Sequence, residues 1–215
     1  MQSTEYKVVS RIYGRKRGWV FTPNDFLDLG SRPLIDNALS SLAQRGTIRR
    51  LTRGVYDYPR LHPKLGTLPP FPEKVAAAIT AKDKSHFQPS GAYAANLLGL
   101  TEQVPAKIVF LTEGTNRTVT IGRTKISFKK ATAKNMATAG RISGLVIQAL
   151  RHLGQAHIDQ RITSQLRSRL SDADKKQLLK DIRYAPAWIG SILRKGLLEM
   201  SGELSYFAKR QPTGH

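Results

Sequence analysis

A proline-rich stretch is the feature that most constrains the fold of this chain. Residues 60–72 read RLHPKLGTLPPFP and contain four prolines within ten positions. Proline lacks the backbone N–H that helices and sheets use, and it pushes the preceding residue away from helical geometry. We therefore expect a semi-rigid linker here, with a boundary near residue 65 that separates a domain of residues 1–65 from a domain of residues 66–215.

The charge of the chain indicates a polyanionic partner. Among 215 residues, 35 are Lys or Arg and 15 are Asp or Glu, which gives a net charge of +20. Both parts are basic, since residues 1–65 carry +7 and residues 66–215 carry +13. A compact body with this excess attracts nucleic acid, whose condensed counterions are released on binding. A membrane surface is the rival partner, but no long amphipathic helix with a bulky apolar face is evident, so no membrane partner is expected.

Several function classes find no support in the sequence. The chain has no cysteine, which removes disulfides, thiolate catalysis and cysteine-ligated metals and fits a cytoplasmic location. It has neither an apolar run of the roughly 18–20 residues that span a bilayer nor a signal-peptide pattern at its start. No phosphate-binding glycine loop, catalytic triad or paired histidines at metal-ligand spacing stand out. We therefore expect no catalytic residue, no metal and no cofactor.

Residues 1–65 have the pattern of a small domain of helices and a hairpin. Ser31 and Gly46 delimit the main helix as its N-cap and its first residue past the end, and Gly54 supplies a positive φ for a tight turn. The predicted elements are a helix at Thr4–Tyr13, a strand at Trp19–Phe21, a short helix at Pro23–Leu27, a helix at Arg32–Gln44, and strands at Thr47–Leu51 and Val55–Tyr58. This order is typical of a winged helix-turn-helix, whose second helix enters the major groove of DNA.

The candidate DNA contacts come from three segments of this predicted domain. The polar face of the second helix supplies groups that hydrogen-bond base edges or phosphates, and the hairpin supplies arginines for phosphates or the minor groove. Because neighbouring residues of a strand face opposite sides, at most one of the two adjacent hairpin arginines faces DNA. The candidates are Arg32, Asp36, Asn37, Ser40 and Ser41 on the helix, Arg49, Arg50 and Arg53 on the hairpin, and Arg15, Lys16 and Arg17 in a basic patch.

Residues 66–215 read as a mixed domain with a small sheet and a helical second half, so the fold class expected for the chain is α+β. The apolar patterns favour helices at 72–80, 89–98, 140–153, 158–170, 173–183 and 188–200, a strand at 106–111, and a hairpin of residues 118–121 and 125–128. Ser171 and Asp174 form a variant of the capping box ahead of one of these helices.

A second basic cluster accompanies the predicted hairpin of the larger domain. Its members are Arg123, Lys125, Lys129, Lys130 and Lys134. A solvated face is one interpretation; a surface for flanking DNA, for RNA or for an acidic partner is the other.

Two runs of this chain resemble a known family. LIDNALSSLAQRGTIRRLTRGVYDYPR, with Arg53-Gly54-Val55-Tyr56 at its hairpin, resembles the winged helix of AbiEi-type antitoxins, and QPSGAYAANLLGLTEQVPAKIVFLTEG resembles the segment that follows it in that family. Together the runs cover roughly a quarter of the chain. The resemblance implies a bacterial protein of an abortive-infection toxin–antitoxin system, with an N-terminal domain that represses its own operon. It also implies a C-terminal domain that counteracts a nucleotidyltransferase-like toxin, without a stable complex being required.

The sequence therefore predicts a DNA-binding antitoxin that represses transcription of its own operon. Double-stranded DNA of its promoter is the expected partner, and more than one protomer on inverted or direct repeats is expected because one helix covers a modest footprint. Two alternatives stay open. One is a plain winged-helix transcriptional regulator, and the other is a module that docks RNA or a toxin without specific DNA readout.

Overall fold

The structure is a computed structural model, and it describes residues 3–81 and 83–198. It combines helices with antiparallel sheets, so the expected α+β class is confirmed. Contacts between residues divide the chain into two compact units. Unit 1 comprises residues 1–87 and 116–127, and unit 2 comprises residues 88–115 and 128–215. The predicted boundary near residue 65 lies inside unit 1.

Unit 1 begins with the predicted order of elements. Its elements are α1 (Thr4–Gly14), β1 (Val20–Phe21), a 3₁₀ helix (Pro23–Phe26), α2 (Arg32–Gln44), β2 (Arg49–Thr52), β3 (Val55–Asp57), β4 (Leu61–His62), β5 (Gly66–Thr67) and α3 (Pro72–Ala81). The first three strands form an antiparallel sheet in the order β1-β3-β2. All predicted elements of residues 1–58 are confirmed, with ends that differ by at most two residues.

The core of unit 1 is built by one face of each helix and by the sheet. Helices α1 and α2 pack together, and α2 also contacts the 3₁₀ helix. The fully or almost fully buried side chains of this core are Val8, Ile12, Phe21, Phe26, Ile35, Ala38, Leu39, Leu42, Ile48 and Tyr56. Burying one such aliphatic or aromatic side chain contributes about 1.5–3 kcal/mol, so this core holds α2 with its opposite face outward.

The ends of α2 follow the sequence signals in part. Gly46 has φ +74 and ends the helix, and its N–H donates to the carbonyl of Ala43 at 3.1 Å. At the start, Ser31 occupies the N-cap position with extended backbone, but its side chain makes no capping hydrogen bond. Pro33 lies in the first turn, where a missing N–H costs nothing.

The proline-rich stretch contains a small hairpin, so the prediction of a linker without regular structure is wrong. Strands β4 and β5 pair antiparallel, with Leu61 opposite Thr67 and His62 opposite Gly66. The ring nitrogen Nδ1 of His62 accepts hydrogen bonds from the N–H groups of Lys64 and Leu65, each at 3.2 Å. The prolines lie outside the two strands, where no ladder hydrogen bond requires their N–H.

Unit 2 contains strands followed by helices. Its elements are β6 (Phe87–Ser90, whose first residue belongs to unit 1), α4 (Gly91–Leu97), β7 (Lys107–Thr112), the end of β9 (Thr124–Lys130), α5 (Ala133–Met136), α6 (Ile142–Leu153), a 3₁₀ turn (Gln155–His157), α7 (Gln160–Arg169), α8 (Asp172–Asp181), a 3₁₀ turn (Ile182–Tyr184) and α9 (Ala187–Leu198). Here β6 pairs with β7, and β7 pairs with β9. The remaining strand, β8 (Arg117–Ile121), pairs with β9 and lies in unit 1 with the first part of β9.

The predictions for the second part of the chain require several corrections. Residues 87–90 form a strand, and the helix predicted from residue 89 begins at Gly91, because Pro89 and Ser90 are extended. The helices predicted to begin at Gly140 and Ile158 begin at Ile142 and Gln160. The helix predicted at 173–183 ends at Asp181 and continues as a 3₁₀ turn. The last predicted helix, 188–200, corresponds to α9; Glu199 and Met200 lie outside the described residues.

A buried carboxylate joins two helices of unit 2. Asp181, at the end of α8, is 2% exposed and accepts hydrogen bonds from Gln177, Ser143 and Arg141. Burial by itself would raise the pKa of Asp181, but these three donors outweigh it and the pKa lies below its ordinary value. The network fixes the start of α6 against the end of α8. The predicted capping box of α8 is also confirmed, since Ser171 and Asp174 bond each other's backbone N–H groups.

Candidate nucleic-acid interface

The outward face of α2 is polar and electrically neutral. Arg32 and Asp36 are the only charged residues between positions 32 and 44. They form an exposed ion pair one helical turn apart, in which Nε of Arg32 donates to both carboxylate oxygens of Asp36 at 3.0 and 2.9 Å. Arg32 also reaches the side-chain oxygen of Asn24 at 3.3 Å. The positive charge of Arg32 is therefore balanced within the helix.

Uncharged hydrogen-bonding groups form the rest of this face. Asn37, Ser40 and Gln44 are exposed, and Ser41 is half-buried beside them. Within the described residues, the Asn37 side chain is not engaged by a hydrogen bond or ion pair, so its amide is available to a ligand. Leu34, 53% exposed, lies on the same side and adds an apolar patch near the start of the helix.

A short ion pair connects α1 with the loop that leads into α2. Arg11 of α1 donates to both carboxylate oxygens of Asp28 at 2.6 Å and to the backbone carbonyl of Asp25 at 2.8 Å. Asp28 lies in the loop between the 3₁₀ helix and α2. The hydrogen bonds between the Arg11 and Asp28 side chains lower the pKa of Asp28 and raise the pKa of Arg11. The bidentate geometry connects α1 with the loop that precedes α2.

The hairpin β2–β3 uses its two adjacent arginines differently. Arg49 lies opposite Asp57 in the strand register, and its guanidinium donates to both carboxylate oxygens at 3.0 and 2.6 Å. Asp57 is 1% exposed, and Arg49 also donates to the carbonyl of Leu68 at 3.1 Å. Arg49 is thus part of the scaffold, although the sequence analysis included it among the DNA contacts.

Arg50 and Arg53 are the cations that the hairpin presents to solvent. Both are exposed, and neither forms an ion pair within the described part of the chain. Arg53 lies in the turn next to Gly54, whose φ of +72 lets the chain reverse over two residues. The alternation expected from the strand is confirmed, since Arg49 is bound and its neighbour Arg50 is exposed.

The basic patch Arg15–Arg17 lies at the other end of the sheet. Arg17 donates to the carbonyl of Pro59 at 2.9 Å and covers the ring of Tyr58, while Arg15 stacks on Trp19. Lys16 has a positive φ of 64 and is exposed. Between the turn and Tyr58 lies β3, Val55–Asp57, whose three residues span about 10 Å at 3.3 Å per residue.

The second basic cluster is divided between the two units. Arg123 and Lys125 belong to unit 1 with the hairpin of β8 and β9, whereas Lys129, Lys130 and Lys134 belong to unit 2. Arg123 and Lys125 are both exposed. Because these five residues are close in the chain, the sequence predicts one basic surface, and the division between the units separates its members.

Two partners of the candidate arginines were not identified from the sequence. The four-residue spacing of Arg32 and Asp36 was a usable signal, since residues at that spacing are neighbours on a helix. The pairing of Arg49 with Asp57 depends on the register of the hairpin, which the position of Gly54 alone leaves open by one residue.

Two further classes of site were sought in the described residues. Across residues 3–81 and 83–198, no three His, Asp or Glu side chains lie together as a metal site requires. His215 lies outside the described residues. None of the described helices has both the length and the apolar character needed to cross a bilayer.

Comparison with known proteins gives a family and a structural resemblance. No curated protein matches the sequence. The crystal structure of RV2827C protein from Mycobacterium tuberculosis resembles this one with a TM-score of 0.47 and 18% identity, covering 97% of this chain and 82% of that one. Residues 7–178 match DUF6088, described as a family of unknown function. Because this match includes most of the chain, the protein is a member of the DUF6088 family.

Proposed function

We propose that unit 1 contains a winged helix that binds double-stranded DNA. The order of α1, β1, the 3₁₀ helix, α2, β2 and β3, with a sheet in the order β1-β3-β2, supports this assignment. In a winged helix the second helix of the helix-turn-helix enters the major groove, and the hairpin contacts the backbone beside it. Helix α2 and the hairpin β2–β3 take these two roles.

The observation that carries the proposal is that α2 and the hairpin β2–β3 present different chemical groups to solvent. Helix α2 presents a neutral face of amide and hydroxyl groups, which suits reading of base edges. Arg50 and Arg53 are exposed cations without an internal partner among the described residues, which suits contact with phosphates. Asn37, in the first half of α2, is the candidate for a bidentate contact with adenine.

The biological role that we propose is that of an antitoxin which represses its own operon. The support is the resemblance of the two runs in residues 34–60 and 88–114 to AbiEi-type antitoxins, together with the net charge of +20. Unit 2 would then counteract a nucleotidyltransferase-like toxin. Since one α2 reads only a few base pairs, specific binding is expected to use more than one protomer on inverted or direct repeats.

A binding titration tests the DNA-binding proposal. A fluorescent duplex from the promoter of the protein's own gene and a shuffled duplex are titrated at about 50 and about 200 mM salt. The wild type is expected to prefer the promoter duplex and to bind less tightly at the higher salt. The variant Asn37→Ala/Arg53→Ala is expected to lose this preference, whereas Arg161→Ala, an exposed arginine on α7, keeps it.

The outcomes separate the alternatives. Failure of the wild type to bind either duplex would contradict the proposal and favour docking of a protein, whereas a promoter preference that the unit 1 variant retains would contradict the assignment of the contact to α2 and the hairpin. Specific DNA binding by a protein that fails to restore growth of cells expressing a neighbouring nucleotidyltransferase-like gene would leave a plain transcriptional regulator.

A further inference from the structure

The hairpin of β8 and β9 belongs to the N-terminal unit although it follows that unit by about thirty residues. Residues 116–127 group with residues 1–87, away from their neighbours in the chain. The sequence of this segment, NRTVTIGRTKIS, contains three cations and no acidic residue. Gly122 has φ +58 at the turn, and Arg123 and Lys125 are exposed beside it.

Unit 1 holds the base of this hairpin through α3. Arg117, the first residue of β8, donates to the carbonyl of Ile79 at 3.1 Å and pairs with Asp83 at 3.3 Å. Helix α3 in turn contacts β1 and β3, and Nζ of Lys74 donates to the carbonyl of Gly18 at 3.1 Å. Arg117 is therefore an anchor, which leaves Arg123 and Lys125 as the cations of the segment that face solvent.

The β8–β9 hairpin also packs beside the hairpin β2–β3, which is the wing of the proposed winged helix. Strand β8 contacts β2, the strand that carries Arg50 and leads into Arg53. Both strands are short, with five and four residues. At about 3.3 Å per residue, the turn at Gly122 and the turn at Gly54 each lie within roughly 17 Å, measured along the strand, of the residues through which β8 and β2 contact each other.

We propose that the β8–β9 hairpin is a second DNA-binding arm, which neutralises backbone phosphates beside those bound by the wing. Arg123 and Lys125 make the ionic contacts, and the exposed hydroxyl of Thr120 is placed on the same hairpin to donate to a phosphate. The contacts are independent of base sequence. They extend the bound length of duplex beyond the part read by α2.

This inference rests on the proposed DNA binding of unit 1. Its test therefore compares a double variant of the β8–β9 hairpin with a double variant of the hairpin β2–β3, each on two lengths of duplex. The double variants are Arg123→Ala/Lys125→Ala in the hairpin and Arg50→Ala/Arg53→Ala in the wing. Lys176→Ala/Lys180→Ala, two exposed lysines of α8, is the matched control. Dissociation constants are measured across a salt series on a duplex trimmed to the wild-type footprint core and on one about ten base pairs longer at each end.

Loss of two phosphate contacts lowers the slope of log K against log salt by about 1.8. The hairpin variant is expected to show this loss on the long duplex and none on the trimmed one, while the control matches the wild type on both. All variants should unfold at the wild-type temperature, because every substituted side chain is exposed.

Three results would overturn the inference. The first is a hairpin variant whose slope on the long duplex equals that of the wild type while the wing variant shows its loss, which leaves the proposed function intact. The second is a hairpin variant that loses as much of the salt slope on a double-stranded RNA of the same sequence as on DNA, which would make RNA the ligand. The third is unchanged DNA binding together with loss of toxin neutralisation, which would make the arm a protein-docking surface. Absence of DNA binding by the wild type would instead sink the proposed function itself.

Discussion

Helix α2 and the hairpin β2–β3 each contain an arginine bound to an aspartate, yet the two pairs lie in very different surroundings. The side chains of Arg32 and Asp36 are 52% and 47% exposed, whereas those of Arg49 and Asp57 are 33% and 1% exposed. Exposed pairs contribute little to stability, and buried carboxylates depend on their partner. The pair Arg32–Asp36 therefore neutralises the exposed face of α2, and the pair Arg49–Asp57 stabilises the fold of the hairpin.

The largest expected effect is on stability and comes from the buried pair. Asp57→Asn removes the charge that Arg49 binds, replaces one accepting oxygen with an NH2 donor, and leaves the guanidinium one amide oxygen and the Leu68 carbonyl as acceptors. Removing one partner of a fully buried pair costs about 3–5 kcal/mol, and the partial exposure of Arg49 reduces the expected loss to about 2–3 kcal/mol. The measurement is the free energy of unfolding in urea. Asp36→Asn is the control, with an expected change within about 0.5 kcal/mol; equal losses for both would remove the distinction between the two pairs.

The next effect concerns DNA affinity and comes from the free cations of the hairpin. Arg50→Ala/Arg53→Ala is expected to weaken binding to promoter and shuffled duplexes alike, by about 10- to 100-fold, because two charge-assisted contacts to phosphate are lost. Titrations over a salt series should show a slope lower by about 1.8. A loss confined to the promoter duplex would mean that the wing reads bases in the groove.

Local signals in the sequence were sufficient for the elements that carry this surface. The bounds of α2 were predicted correctly from Ser31, the apolar period and Gly46, and the hairpin turn from Gly54. These features depend on residues that are close in the chain. Which of Arg49 and Arg50 faces solvent depends on the strand register with Asp57, and a shift by one residue would exchange them.

Other parts of the fold depend on contacts between residues that are distant in the chain, and local sequence signals do not predict them. Residues 116–127 join unit 1 through contacts with α3 and β2, so the chain order does not reveal them as neighbours of the wing. The density of prolines predicts no strand in this stretch, yet strands of two residues, Leu61–His62 and Gly66–Thr67, fit between the prolines.

The third effect separates recognition from affinity. Asn37→Ala is expected to weaken binding to the promoter duplex by about tenfold while leaving the shuffled duplex and the salt slope unchanged, because a bidentate contact to adenine is worth about 1–3 kcal/mol. Gln44→Ala, an exposed amide at the far end of the same helix, is the matched control, since base contacts come from the first half of a recognition helix. Equal losses on both duplexes would show that Asn37 holds the backbone rather than a base.

The smallest effect tests whether neutrality of α2 is itself functional. Asp36→Asn releases Arg32 from its ion pair and adds one positive charge to the face that we propose to contact DNA. Since each added phosphate contact steepens the salt dependence by about 0.9, we expect the shuffled duplex to bind a few-fold more tightly and the preference for the promoter to narrow. The reverse result, a loss restricted to the promoter duplex, would mean that Asp36 accepts a hydrogen bond from a cytosine amino group. In that case the carboxylate on α2 would be a reader of sequence, and the pairing with Arg32 would describe only the protein without DNA.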